Sequence, residues 1–272
     1  MRGKNSASGP VWLYALTWNE RRVLPFFFRH YDPWVDRYIL YDDGSTDGTL
    51  DVLAAHPRVT VRRFDRAVPN SFVESHRLWQ NHEWKEARGK AGWIVLTAID
   101  EHLWHPAMPA YLAAQAGQGV TAIPALGFNM IADGFPSSGT NLAETLRVGM
   151  PHHEMNKLSL FNPNALTETN FSPGRHYAKP EGDVRYPEAD EVFLLHYKYL
   201  GTDYVTGRNA ELRTGLGKHD IQAGLGEQYA WGKGVWDDAL AEMKKHAIDY
   251  RDPSVGFTTH IDRWWRDRRP RG

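Results

Sequence analysis

The chain has 272 residues, of which 42% are apolar and 24% charged, and its formal net charge is −1. That size suits one large α/β domain or two small ones, and the balanced charge excludes the global positive field that marks nucleic-acid binders. Cysteine is absent, which excludes a disulfide framework, a thiolate metal site and a cysteine nucleophile, and fits a reducing, cytoplasmic setting. Residues 1–10 are polar, lack a signal-peptide core and read as a disordered start. Val11–Thr17 is a short apolar run, read as a strand, that stops at Trp18-Asn19-Glu20. Pro25 then suits the first turn of a helix carrying Phe27, Phe28 and Tyr31. A second strand spans Tyr38–Tyr41, a helix Leu50–Ala55 and a third, β-branched strand Val59–Phe64. Ser71-Phe72-Val73-Glu74 has the form of a capping box and opens a helix running to Arg88. Trp93–Thr97 is a fourth strand ending at Ala98-Ile99-Asp100-Glu101.

The pattern then loosens. Met108–Ala116 reads as helix and Val120–Ile131 as extended chain. Residues 133–156, rich in Gly, Ser and Pro, read as a long loop over a site. Lys157–Phe161 and Val192–Leu195 are further strands. The remainder reads as mostly helical, with Trp236, Leu240, Met243 and Ala247 on one face. No run approaches the ~20 apolar residues needed to span a bilayer. The C-terminal Arg263-Trp264-Trp265-Arg266 cluster and its basic continuation allow a weak membrane-surface contact, or two tryptophans folded back on the core, which is the favoured reading.

The alternation of strands and helices implies a mainly parallel sheet, whose ligands sit beyond the carboxyl ends of its strands. Asn19-Glu20, Asp42-Asp43 and Asp100-Glu101 all lie at such ends, so they converge on one crevice. Asn19 and Glu20 can hold a base or ribose, or can simply start a helix. Asp42 and Asp43 can accept from a uracil ring N–H and from ribose hydroxyls, while Ser45 and Asp47 fix the turn. Asp100 can hold a hard cation such as Mn²⁺ or Mg²⁺ that neutralises a departing diphosphate, or can cap a helix. His196, after the Val192–Leu195 strand, can join it as a ligand, or can be an ordinary core histidine; Lys198 can meet a phosphate.

Together these clusters resemble family-2-like glycosyltransferases of the GT-A fold, in particular their small soluble branch, over residues 11–200. Trp18-Asn19-Glu20 looks like that family's first nucleotide-binding turn. Asp42-Asp43-Gly44-Ser45-Thr46-Asp47-Gly48-Thr49 is similar to its D-D-x-S-x-D-x-T run, and Asp100-Glu101 to the end of its D-x-D-E metal motif. Asn156-Lys157, Gly174-Arg175-His176 and His196-Tyr197-Lys198-Tyr199-Leu200 resemble later signatures of the branch. The resemblance implies an α/β GT-A domain with a mostly parallel central sheet flanked by helices. Its nucleotide-sugar half would span 11–105, its acceptor half 106–200 and a helical C-terminal part 201–272.

It further implies a metal-dependent, inverting transfer from a nucleoside diphosphate sugar, UDP-linked, to an unidentified acceptor. Asn19, Glu20, Asp42, Asp43, Ala98, Ile99 and Lys198 would lie along the nucleotide. Asp100, His196 and His176 would be the candidate ligands of Mn²⁺ or Mg²⁺, and Asp133 or Glu154 the carboxylate base, with Glu168 also open. Ala98 stands where the family pattern has Asp, which implies weakened donor binding or turnover. The alternatives are a nucleotide-sugar binder with little turnover and a nucleotidyltransferase.

Overall fold

The computed structural model describes residues 9–252, 260 and 262–266, so the polar start expected over 1–10 lies, except for residues 9 and 10, outside the described residues. The first part of the chain runs β1 (Val11–Thr17), α1 (Leu24–Tyr31), β2 (Arg37–Asp42), α2 (Thr49–Ala54), β3 (Val59–Arg63), α3 (Phe72–His82) and β4 (Trp93–Leu96). The strands pair in parallel in the order β3-β2-β1-β4. Alternation along β1 decides the layers. Leu13 and Ala15 pack with Phe27, Tyr31 and Trp34 on one face, while Tyr14 packs with Trp79 and Trp84 on the other. The helix expected through Arg88 ends at His82 and continues as a tighter 3₁₀ turn over Glu83–Ala87.

The second part comprises β5 (Glu101–Trp104), α4 (Met108–Gly117), β6 (Ala122–Ala132), α5 (Leu142–Thr145), β7 (Val148–Pro151), β8 (Lys157–Phe161), β9 (Leu166–Glu168), β10 (Glu181–Gly182) and β11 (Phe193–Leu200). Here the sheet turns mostly antiparallel. β8 inserts between β4 and β6, β7 adds beyond β6, and β11 lies parallel to β6 and antiparallel to β5. Three expectations are corrected. Residues 133–156 are not one structureless loop, because β7 pairs with Phe128–Met130 of β6 and α5 precedes it. Asp100 caps no helix, because a strand, not a helix, begins at Glu101. The strand expected to stop at Leu195 continues to Leu200, so His196 and Lys198 lie within it, two residues apart and on one face.

The last part forms α6 (Thr202–Gly215), α7 (Lys218–Gln222), α8 (Lys233–Lys245) and the short β12 (Ile248–Asp249). Trp236 and Leu240 of α8 are buried with Ile131 and Val205, and Met243 and Ala247 pack against them. Trp264 and Trp265 fold back on the body, donating their indole N–H groups to Asn156 O at 3.0 Å and Asp190 Oδ1 at 2.8 Å. Arg263 and Arg266 pair with the same Asp190. The basic continuation beyond Arg266 lies outside the described residues. Among the described residues no helix is long and apolar enough to cross a membrane.

One buried carboxylate ties this last part to the start of α3. Buried Asp220 accepts from Ser71 Oγ at 2.6 Å, Phe72 N at 2.7 Å and Gly217 N at 2.9 Å. It thus caps the N-terminus of α3 from a distant helix, beside the local cap in which Ser71 Oγ accepts from Glu74 N. Gly217 permits the approach, since a Cβ there would lie 1.9 Å from Asn70 O. Replacement of Asp220 by Ala should leave these donors unmet and cost about 2 kcal/mol in chemical denaturation; an unchanged midpoint would dismiss the clamp.

His102 is fully buried in the body, and His30 and His76 are half-buried. Burial lowers His30 to about 4, His76 to about 3 and His102 well below its ordinary range. Each stays neutral when folded but can protonate near ~6.5 when unfolded. The unfolded state therefore binds more protons as pH falls below ~6.5, and stability is lost in that direction. Thermal midpoints should decline between about pH 7 and about pH 5, and His102→Phe should flatten part of that slope.

Candidate functional site

The three strand ends open on a cleft of about 420 Å³, lined on different sides by Glu20, Asp43, Asp100, Glu154, His196 and Lys198. Its floor is set by the turn between β2 and α2. Asp42 is spent on that turn: its Oδ2 accepts from Gly44 N and Ser45 N at 2.9 Å, and its Oδ1 from Ser45 Oγ and Thr17 Oγ1. Asp47 likewise holds Thr49 N and Thr49 Oγ1 through its Oδ1. Asp43 alone of the three acids lines the cleft, where Arg66 grips it with two N–H groups at 3.2 and 2.6 Å. Arg66 also lies over the Phe72 ring and donates to Gly215 O.

The end of β1 forms the adjoining wall. Asn19 is in the left-handed region, φ 54°, which asparagine tolerates. Its side chain lies outside the cleft lining and ties the β2–α2 turn to α6, with Oδ1 accepting from Thr46 N at 2.8 Å and Nδ2 donating to Glu211 Oε1 at 2.7 Å. Glu20 faces the cleft and accepts from Arg208 of α6 at 2.6 Å. Burial raises the Glu20 carboxyl, Arg208 opposes that rise and Asp100 adds to it.

The turn after β4 carries the third group. Ile99 is in the hydrophobic core at 1% exposure, so its side chain is turned away from the cleft. Ala98 and Asp100 face it. The turn is held by Glu101, which is fully enclosed. Its Oε1 accepts from Lys157 Nζ at 2.7 Å, and its Oε2 accepts from Arg175, from Ala98 N at 3.1 Å and from Thr97 Oγ1 at 3.4 Å. Burial alone would raise the Glu101 carboxyl, but Lys157 and Arg175 overcome it and hold the group well below its ordinary range. Arg175 reaches it from a loop in which Gly174 and Arg175 both have positive φ, 67° and 58°.

Asp100 Oδ2 lies 3.3 Å from His196 Nε2, while His196 Nδ1 faces Asn129 Oδ1 at 2.9 Å. Burial would raise Asp100, but His196 overrides it and holds the carboxyl below its ordinary value. Asn129 Oδ1 can only accept, so Nδ1 donates to it. Nε2 and the Asp100 carboxylate then face each other at 3.3 Å, close enough for either a proton or a cation to bridge them. The donor set, one carboxylate and one imidazole oriented by a neighbouring amide, fits a divalent ion that keeps water and phosphate oxygens as its other ligands. Among the described residues no group of three or more His, Asp or Glu gathers around one point, and His176 does not join the pair. His176 lines the cleft elsewhere, with Nδ1 at 2.6 Å from Glu154 O.

Lys198, on the same face of β11 as His196, has no ion-pair partner among the described residues. Its ammonium lies 5.1 to 6.0 Å from the rings of Tyr229, Tyr199 and Trp236, and burial lowers it to about 8. Glu154 is exposed at the cleft lip. Asp133 is not brought to the cleft; it is 93% exposed and paired with Lys244. Glu168 lies outside the lining and pairs with Lys85. The residues missing from the sequence reading are Arg66, Asn129, Tyr204 and Arg208. For Arg208 a signal existed: Tyr204, Arg208 and Leu212 recur at four-residue spacing and all line the cleft.

No protein-family profile matches the chain, and no curated protein sequence matches it. Among solved structures it is similar to a mycobacterial protein at 22% identity and a TM-score of 0.32, over 45% of this chain and 42% of that one. It is similar to residues 1–349 of S. aureus TarS at 9% identity and a TM-score of 0.41, over 93% and 75% of the two chains. A third is glucosyl-3-phosphoglycerate synthase (GpgS) from Mycobacterium tuberculosis, solved with Mn²⁺, UDP-glucose and phosphoglyceric acid, at 21% identity and a TM-score of 0.31, over 45% of each chain. The chain thus spans less than half the length of the first and third. All these identities and TM-scores are low, so the functional reading rests on the cleft's own residues.

Glu101→Gln should cost about 3–5 kcal/mol in urea unfolding, because it leaves two buried cations without their carboxylate. A cost below about 1 kcal/mol would show that Lys157 and Arg175 do not depend on it.

Proposed function

We propose that the chain is a metal-dependent glycosyltransferase of the GT-A type. It would move a sugar from a nucleoside diphosphate sugar, UDP-linked, to an acceptor hydroxyl with inversion. The observation that carries the reading is that Glu20, Asp43 and Asp100, from three separate strand ends, and His196 and Lys198, from within β11, line one cleft. Glu20 and Asp43 supply acceptors for ribose hydroxyls and a base N–H, with Asn19 and Asp42 bracing the loops behind them. Asp100 and His196 would hold Mn²⁺ or Mg²⁺, which when bound supplies charge neutralisation to the leaving diphosphate. Lys198 donates to a phosphate oxygen, its unpaired ammonium being worth most in a site that excludes water. Glu154, an exposed carboxylate of the cleft lining, serves as base toward the acceptor hydroxyl. A cytoplasmic location and an acceptor half over 106–200 belong to the same proposal.

Ala98 favours a second reading, a nucleotide-sugar binder with little turnover. Its methyl group offers no acceptor, although its backbone N–H is held as firmly as the turn requires. Calorimetry with UDP and Mn²⁺ tests the first reading. Asp100→Asn and His196→Ala should each weaken metal-dependent UDP binding at least about tenfold, the loss of one charged contact. Ala98→Asp should raise UDP affinity or the rate of UDP-sugar hydrolysis. UDP binding indifferent to Mn²⁺ and to both substitutions would end the metal assignment; tight binding with no hydrolysis in either the native chain or Ala98→Asp would select the binder.

A further inference from the structure

The nucleoside wall of the cleft is not self-supporting. A continuous series of hydrogen bonds runs from Thr46 N to Asn19 Oδ1, from Asn19 Nδ2 to Glu211 Oε1, from Arg208 Nη1 to Glu211 Oε2, and from Arg208 Nη2 to Glu20 Oε1. Arg208 Nη2 also donates to Trp18 O at 2.8 Å, and its guanidinium lies 5.9 Å from the Trp18 ring. The Arg208 side chain is only 12% exposed, and the Glu20 side chain 14%. Apart from the Arg208–Glu211 pair, which lies within α6, the links join elements far apart in the chain: the β2–α2 turn, the end of β1 and the helix α6. Among the described residues Glu20 Oε2 has no hydrogen-bond donor, so the carboxylate is fixed by one oxygen and presents the other.

We propose that Arg208 is a positioning residue that, through Glu20, makes the cleft select for ribose hydroxyls. This inference rests on the proposed nucleotide reading and adds a residue from the C-terminal helices to it. Arg208 binds Glu20 and Glu211 with separate nitrogens of one rigid plane, a geometry that lysine cannot reproduce. The guanidinium is thereby spent on protein acceptors and is not the cation that meets the diphosphate, a task left to Lys198 and the ion on Asp100. Removing Arg208 should therefore blur recognition of the sugar of the nucleoside and leave recognition of its phosphates intact.

Calorimetry in Mn²⁺ with UDP, with deoxy-UDP forms lacking either ribose hydroxyl, and with pyrophosphate tests this. In the native chain at least one deoxy form should bind about tenfold more weakly than UDP, the value of a hydrogen bond to a charged acceptor. In Arg208→Met, UDP should fall to the level of that deoxy form, the preference should vanish, and pyrophosphate should bind as before. Arg208→Lys should not restore the preference. Glu211→Gln, which frees the guanidinium from its other side without removing it, should reduce the preference in the same way and serves if Arg208→Met does not fold. Pyrophosphate weakening in step with UDP would overturn the inference in favour of direct phosphate contact. A preference that survives in both variants would overturn it as well. A native chain that binds UDP with no hydroxyl preference overturns the role of Arg208 while leaving the nucleotide reading in place; a native chain that does not bind UDP at all overturns both.

Discussion

The interaction on which the site depends is the enclosure of Glu101 between Lys157 and Arg175. An isolated carboxylate in that position would be too costly to keep charged, and two cations there without it would repel each other. The three together are tolerable, and their mutual demand brings β8, the Gly174–Arg175 loop and the β4–β5 turn to one point. Because Glu101 also accepts from Ala98 N, the turn that presents Asp100 has little freedom. The position of Asp100 relative to His196 is thus set by the buried ionic cluster beside them, since Glu101 follows Asp100 in the chain and lies opposite His196 in the β5–β11 ladder.

The same division of labour recurs around the cleft. Asp42 and Asp47 shape a turn so that Asp43 can face inward. Asn129 sets the His196 ring, and Arg208 sets Glu20. Each presented group has a buried partner behind it, which removes side-chain freedom before any ligand arrives. Lys198 has no such partner among the described residues: the rings of Tyr229 and Trp236 lie beside it and no carboxylate pairs with it.

The parallel half of the sheet was legible because it is written in local pattern. Val11–Thr17, Tyr38–Tyr41 and Trp93–Thr97 are apolar runs bounded by polar turns, and a buried parallel strand needs no more than that. The antiparallel half was less legible. β7 contains Gly149 and Pro151 and becomes a strand only because β6 lies beside it, and β5 is four residues long. The strand ends correctly indicated where the cleft opens. They did not tell Asp42 from Asp43, since the difference lies in which carboxylate the turn's own N–H groups consume. Arg66 carried almost no sequence signal, and Arg208 only its helical spacing with Tyr204 and Leu212, because their partners are remote: Arg208 meets Glu20 across 188 positions. Asp133 was misleading for the opposite reason. Its neighbourhood in sequence is polar and loop-like, yet the fold turns it outward to Lys244.

The clamp made by Asp220 gives the chain an order of assembly. Its partner Ser71 lies 149 positions earlier, and Gly217 must slide against Asn70 for the bond to form. As the polypeptide leaves the ribosome, all the strands of the parallel half emerge and can pair long before α7 exists. The nascent domain at that stage has its sheet, its turn over residues 42–49 and its Glu101 cluster, but an α3 whose first turn is capped only from within and a cleft missing one wall. Closing so long a loop costs only logarithmically more than closing a short one, so the late arrival is no thermodynamic burden. What it imposes is timing: the cleft is finished well after the sheet that carries its other walls, with α8, β12 and the Trp264–Trp265 turn still to dock.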